Sequence, residues 1–261
     1  MKKIFLLMAF ALTVSVANAW HKNCDAGVVA LAVKHLTPEA KSVVNKYLGA
    51  AYEDDVRQLY YLEWKKRAKH TKEIHYVHLD ENFQPLNVEG DDALVAIEKA
   101  LEVLRNRKSH YDAEVKTALR YVINLICDIH DFSKFRIENI AHSQGDFSFK
   151  RQKSEYKPNE YITYQWATFW QKMSNSLAIF HAGLWAEDME LCHGANYAEF
   201  TKGTLRDWTA DNGAKAAEYL AKISPDSVIT LRDYLEMDFA NYDMAARAGF
   251  RLAALLNETI K

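Results

Sequence analysis

An all-α fold is predicted by three observations on this sequence. Glycine and proline are scarce, 9 and 4 of 261 residues, about half of average usage and too few for a turn-dense β-sandwich or barrel. Apolar residues recur at helical spacing through most of the chain. Polar caps and helix breakers stand where those helices would begin and end. The expected architecture is a single multi-helix domain with one non-helical excursion near residues 132–158.

The chain opens with Lys2 and Lys3, then an apolar run from Ile4 to Val16, then Ala17-Asn18-Ala19. The run is short of the roughly 20 residues that cross a bilayer. With a basic start and an A-x-A end it reads as a cleaved secretory signal over 1–19. The domain then spans 20–261, begins at Trp20, and belongs to an exported protein, periplasmic or secreted. Removing the two signal lysines leaves 31 basic against 35 acidic residues. That mildly acidic balance gives no general footprint for polyanions, so any nucleic-acid or phospholipid contact must be local or metal-assisted. The hydrophobic fraction of 49% excludes wholesale disorder.

The helices follow in order. Asn23 to Leu36 places Val28, Val29, Leu31, Ala32 and Leu36 at helical spacing. Thr37-Pro38 is a cap followed by proline at the first helical position, and a helix over 38–48 ends near Gly49. A helix over 53–68 has a basic end at Lys65, Lys66 and Arg67. Asp91 or Asp92 caps a helix over 93–107, and Asp112 caps one over 112–131. Helices over 159–192, 204–222 and 237–258 complete the set. Between them, Asp146-Phe-Ser-Phe-Lys150 alternates as a short hairpin strand would. Three cysteines, Cys24, Cys127 and Cys192, allow one disulfide with one free thiol, or none, and no CxxC pair suggests a thiolate zinc site.

The informative polar residues sit inside apolar periods. Asn124 and Asp128 are four apart within Tyr121-Val-Ile-Asn-Leu-Ile-Cys-Asp-Ile-His130, so they share a helix face. A carboxylate in such a setting is either a hydrogen-bonded core aspartate or a metal ligand, because an unpaired buried charge is costly. In Ile74-His-Tyr-Val-His-Leu-Asp80, His75, Val77 and Leu79 alternate with Tyr76, His78 and Asp80. Asp54-Asp55 follows Tyr52 and suits the first turn of a helix. The aromatic run Tyr161, Tyr164, Trp166, Phe169, Trp170 reads as core, with base stacking as the alternative if it is exposed.

These segments together resemble the S1/P1 nuclease and zinc-dependent phospholipase C superfamily, over essentially all of 20–261. Ala51-Tyr-Glu-Asp-Asp-Val-Arg57 is similar to that family's W-A-D-x-x-R, and Ile74-His-Tyr-Val77 to its L-H-[FY]-[IV]. Leu125-Ile-Cys-Asp-Ile-His130 resembles the start of G-D-I-H-Q-P-L-H, and Trp208-Thr-Ala-Asp211 a later W-A-x-E. Ala248-Gly-Phe-Arg-Leu-Ala-Ala-Leu-Leu-Asn257 resembles the closing A-G-x-R-L-A-x-x-L-N. The resemblance implies an all-α fold of the phospholipase C/P1 nuclease type and a centre of three zinc ions held by nine residues. Four of the nine positions are retained: Trp20, with its amine and carbonyl, Asp54, His75 and the metal-bridging Asp128. Asp25 and Asn124 replace histidines, and Lys134 falls on the last histidine of H-Q-P-L-H because Asp131-Phe-Ser-Lys replaces Q-P-L-H. Leu177 and His181 fall on the final pair.

The implied metal set is Trp20, Asp25, Asp54, His75, Asn124, Asp128 and His181, holding one or two zinc ions. The third position, on Lys134, Leu177 and His181, is lost. Oxygen donors in place of imidazole also admit Mg²⁺, Mn²⁺ or Ca²⁺. The implied activity is metal-dependent phosphodiester hydrolysis of nucleic acid, single-stranded by expectation, or of nucleotides. Asp128 and Asp54 serve the metals, and the Lys134 ammonium replaces part of the third ion's charge. Two alternatives remain: a catalytically silent binding protein of the same fold, with Lys134 a solvated surface lysine, and a phospholipase C-like activity. His130 and His142, beside the altered loop, are further candidate ligands.

Overall fold

A computed structural model describes residues 20, 22–49, 74–90, 92–173 and 182–261. The helix expected over 53–68, Asp54, Leu177 and His181 lie outside the described residues, as does the segment 1–19. The described chain is mostly helical, with short strands in two small sheets.

Helix α1 (Lys22–Lys34) is buried along Cys24, Asp25, Ala26, Val28, Val29, Leu31 and Ala32. So much apolar surface on one short helix fits a central position, and α1 packs against α6 (Ala182–His193) and α9 (Leu231–Thr259). The α1–α6 approach uses Gly27, where an added Cβ would lie 2.0 Å from Trp185 Cε3. Helix α2 (Pro38–Leu48) starts as expected: Thr37 Oγ1 accepts from Ala40 N and Pro38 takes the first turn. It stops at Gly49, whose φ of +91° an L side chain rarely adopts.

Helices α3 (Ala93–Arg105) and α4 (Asp112–Asp128) pack as an antiparallel pair. Asp92 caps α3 by accepting from Leu94 N and Val95 N, and its other oxygen accepts from His78 N. That carboxylate therefore ties strand β1 (Val77–Leu79) to the start of α3. Asp112 is not the cap of α4. Tyr111 is, and Glu114 accepts from the Tyr111 backbone N–H, leaving Asp112 in the first turn. The helix ends at Asp128 rather than at 131, because the Asp131 carboxylate captures Ser133 N and turns the chain into the tight turn Phe132–Lys134. Strand β2 (Phe135–Ile137) follows and pairs parallel with β1, Val77 opposite Phe135.

The largest departure from the expected helices is at 157–165. Strand β3 (Ser148–Ser154) forms a hairpin with β4 (Lys157–Gln165), so the helix expected from 159 begins only at Trp166, as α5 (Trp166–Met173). Tyr161, Ile162, Thr163 and Tyr164 are residue types that suit a pleated surface better than a helix. Phe149 and Tyr164 face each other across the pair and pack inward. After α6 come the single turn α7 (Tyr197–Phe200), then α8 (Leu205–Lys222), then β5 (Val228–Ile229), which adds to β3 in parallel. Thr204 and Asp207 form a reciprocal cap on α8. Thr230 and Asp233 do the same for α9, which therefore starts six residues before the expected 237.

Trp166, Phe169 and Trp170 are core residues, with ring contacts to Phe149, Phe132 and Tyr219. Tyr161 remains exposed. No described helix is long and apolar enough to cross a membrane.

Candidate functional site

Three elements bring their polar side chains to the C-terminal end of α4. The helix contributes Asn124 and Asp128, one turn apart on the buried face. The segment leading into β1 contributes His75, and the parallel β1–β2 pairing holds that segment beside the turn that ends on Lys134. His75 Nδ1 lies 2.8 Å from Asp128 Oδ2, and Lys134 Nζ lies 3.7 Å from Asp128 Oδ1. An ionised Asp128 requires the proton on His75 Nδ1, so the ring donates to the carboxylate. All three side chains are only 4% exposed.

Lys134 is thus not a surface lysine. A buried ammonium needs compensation, and two buried carboxylates lie near it, of which Asp128 is within ion-pair distance. Asp131, also fully buried, is the other, with Oδ1 accepting from both the backbone N–H and the hydroxyl of Ser133. Burial pushes the Asp131 carboxyl up to about 7, against the opposing pull of Lys134 and the Ser133 donors. Nζ also stands 5.6 Å from the centre of the Tyr76 ring, on which the Arg136 guanidinium lies at 3.8 Å.

Asn124 donates from Nδ2 to Arg120 O at 2.7 Å, while its Oδ1 is buried with no hydrogen-bond partner among the described residues. Asp25 sits in the first turn of α1, fully buried. Its carboxylate reaches the Cys127 thiol, and burial first, then Asp25, raises both Cys24 and Cys127 well above the ordinary thiol range. All three cysteines are free, with Cys24 and Cys127 buried and Cys192 exposed. Trp20 is fully buried just ahead of α1.

Of the expected residues, then, His75, Asp128 and Lys134 are in direct contact and Asn124 stands one turn away. Asp25 reaches α4 at Cys127, beside Asp128. Of the two further candidates, His130 has both ring nitrogens taken up by internal partners and His142 has one. His130 donates from Nδ1 to Ile126 O and accepts at Nε2 from Arg251, and burial first, then Arg251, holds it neutral. His142 bonds Leu220 O through Nε2. Asp131 was not anticipated as a site residue. Its position three before Lys134, the spacing that closes a tight turn, is the signal that could have marked it.

The donor set meets a cation in part. The orphaned amide oxygen of Asn124 and the oxygens of Asp128 suit one hard or borderline cation, whereas Lys134 suits none at the third position. Among the described residues, no three His, Cys, Asp or Glu side chains close around a common point. An apolar groove of about 570 Å³ opens between α3 and α4, walled by Ile74, Val95, Ala100, Val103, Ala118 and Tyr121. Among the described residues, its lining includes Ile74, next to His75, but none of His75, Asn124, Asp128 and Lys134. No protein-family profile matches the chain, and no curated protein matches it significantly.

Proposed function

We propose that the chain is an exported metal-dependent phosphodiester hydrolase with the phospholipase C/P1 nuclease fold and a reduced metal centre, acting on single-stranded nucleic acid or nucleotides. The observation that carries this reading is the buried cluster at the end of α4, in which Lys134 supplies a fixed positive charge beside Asp128. Trp20, Asp25, Asp54, His75, Asn124 and Asp128 would hold one or two zinc ions. Zinc held there supplies Lewis acidity toward a phosphate ester and toward water. The chain's own groups do the rest. His75 keeps its Nδ1 proton on Asp128 and so fixes the ring and the carboxylate together. Asn124 is oriented by Arg120 O. Lys134 offers an ammonium to the negative charge that builds on the phosphate oxygens, where a pre-placed cation costs no reorganisation.

The test is metal content by elemental mass spectrometry on protein processed to Trp20, with turnover of bis-p-nitrophenyl phosphate measured beside it. One or two ions per chain, turnover abolished by chelator and by Asp128→Ala, and a lower turnover at unchanged metal content in Lys134→Ala support the reading. A second reading, a catalytically silent binding protein, is favoured by one observation: both Asp128 oxygens already face internal partners in a centre closed to solvent. No metal and no turnover in folded protein would establish it over the first.

A further inference from the structure

We infer that the β3–β4 hairpin is a binding arm for single-stranded nucleic acid. This rests on the hydrolase reading for its biological sense, but the binding can be measured without it. The two faces of the hairpin differ sharply. Phe149 and Tyr164 point inward, and Arg151 lies over the Tyr234 ring at 4.6 Å. The other face turns outward and pairs Lys150 with Thr163 and Gln152 with Tyr161. Lys150 and Thr163 are exposed, and Tyr161 is 45% exposed. At the tip, Tyr156 is 95% exposed, more than any other large hydrophobic side chain among the described residues. Two open aromatic rings on one projecting ribbon are what base stacking requires, since every base has a π-face.

Charge points the same way. The full sequence has a formal net charge of −2. The hairpin instead carries Lys150, Arg151, Lys153 and Lys157 against Glu155 and Glu160. Lys153 and Lys157 share the Glu160 carboxylate, at 3.1 and 3.0 Å, and with Glu155 that corner is balanced, so the hairpin's surplus of two cations comes from Lys150 and Arg151. The register shifts between Gln152 and Ser154, with the extra residues on β4, where 158–160 stand against the single exposed Lys153. The sign of this surplus suits a polyanion, and the tyrosines select unpaired bases over a duplex, whose bases are already stacked.

The arm also stands on the same scaffold as the candidate site. Trp166 N donates to Phe147 O at 2.9 Å and closes the hairpin base. Four residues on, the Trp170 ring meets Phe132 edge-on at 4.9 Å, and Phe132 opens the turn that ends on Lys134.

The experiment is fluorescence anisotropy of a labelled oligothymidylate with the full exported chain in chelator, so that no hydrolysis intervenes. Binding should weaken with salt at a slope of about −1.4, for about two neutralised phosphates. Tyr156→Ala and Tyr161→Ala should each weaken binding by roughly five- to a hundredfold, and Lys150→Glu should flatten the salt slope. Tyr156 and Lys150 are exposed, so these variants should keep the unsubstituted circular dichroism spectrum. Absence of binding, equal binding by the tyrosine variants, or equally tight binding of a duplex overturns the arm. Turnover of bis-p-nitrophenyl phosphate by the unsubstituted protein is scored separately. Tyrosine-dependent binding without turnover leaves the arm standing and removes the hydrolase.

Discussion

Replacing Lys134 by methionine keeps most of the side-chain volume and removes the charge that faces Asp128. The two groups are 3.7 Å apart and 4% exposed. At the effective dielectric of about 20 that suits protein charge pairs, their attraction is about 4–5 kcal/mol. Removing one partner of a buried pair strands the other, and such truncations cost about 3–5 kcal/mol. Lys134→Met should therefore lower stability by about 4 kcal/mol, a fall in Tm of roughly 8–16 °C for a chain of this size. Asp128→Asn should also destabilise, since it strands the ammonium. The double variant Asp128→Asn/Lys134→Met should recover part of the sum, because neither charge is then left alone. Urea unfolding of the four proteins gives the coupling energy directly. A coupling below about 0.5 kcal/mol, or a Lys134→Met protein as stable as the parent, would refute a buried ion pair and return Lys134 to the surface.

Asp131 should give the protein a pH-dependent stability of unusual sign. Its carboxyl is raised to about 7 in the fold by burial, while in the unfolded chain it titrates near 4, as an unperturbed aspartate does. Between about pH 4 and 7 the folded state holds a proton that the unfolded state has lost. This group's contribution therefore falls by about 1.4 kcal/mol per pH unit as pH rises through that window, and is level above it. Asp131→Asn should remove that slope, as read by chemical unfolding at a series of pH values, and an unchanged slope would count against the buried position. Gly213→Ala should destabilise by about 1–3 kcal/mol, because the new Cβ would lie 2.0 Å from Leu79 Cδ1 and push α8 off β1; thermal unfolding reads this, and an unshifted Tm contradicts the contact. Arg251→Met removes the donors to Phe200 O and His130 Nε2 and should cost about 3 kcal/mol; a cost under 1 kcal/mol, measured by urea unfolding, would mean that those acceptors find water.

Much of the helical frame was written locally in the sequence. Thr37-Pro38, Asp92 and Gly49 act at the positions where their side chains or backbones bias the chain regardless of what packs later. Residues 159–165 read as the start of a helix because their aromatic residues continue into Trp166, Phe169 and Trp170 at helical spacing. Their strand state depends on pairing with residues of β3, from Gln152 opposite Tyr161 back to Ser148 opposite Gln165, a non-local pairing that a periodicity window does not see. Asp128 and Asn124 were legible as a buried polar pair because a helix fixes which residues share a face. The burial of Lys134 was not, because it depends on where a short turn directs one long side chain. Asp131 was missed for the same reason: the turn that makes it a partner of Lys134 is built by its own bond to Ser133.

The position of Asp128 explains why this turn exists. It is the last residue of α4, and the C-terminal end of a helix carries partial negative charge, so a carboxylate there is disfavoured unless cations are brought to it. The fold brings two donors by separate routes, His75 through a parallel strand pairing and Lys134 through a three-residue turn. Both are covalently part of the chain, so their stabilisation of Asp128 survives the loss of any bound ion. Folding and metal dependence should then separate. If the centre is a reduced hydrolase site, a chelator should abolish turnover of bis-p-nitrophenyl phosphate while moving Tm by no more than a few degrees. A centre held together by its metal would instead lose both at once, since binding energy at such a site is folding energy. Simultaneous loss would mean that Lys134 and His75 do not carry the charge of Asp128, and that the third cation position is rebuilt from other residues.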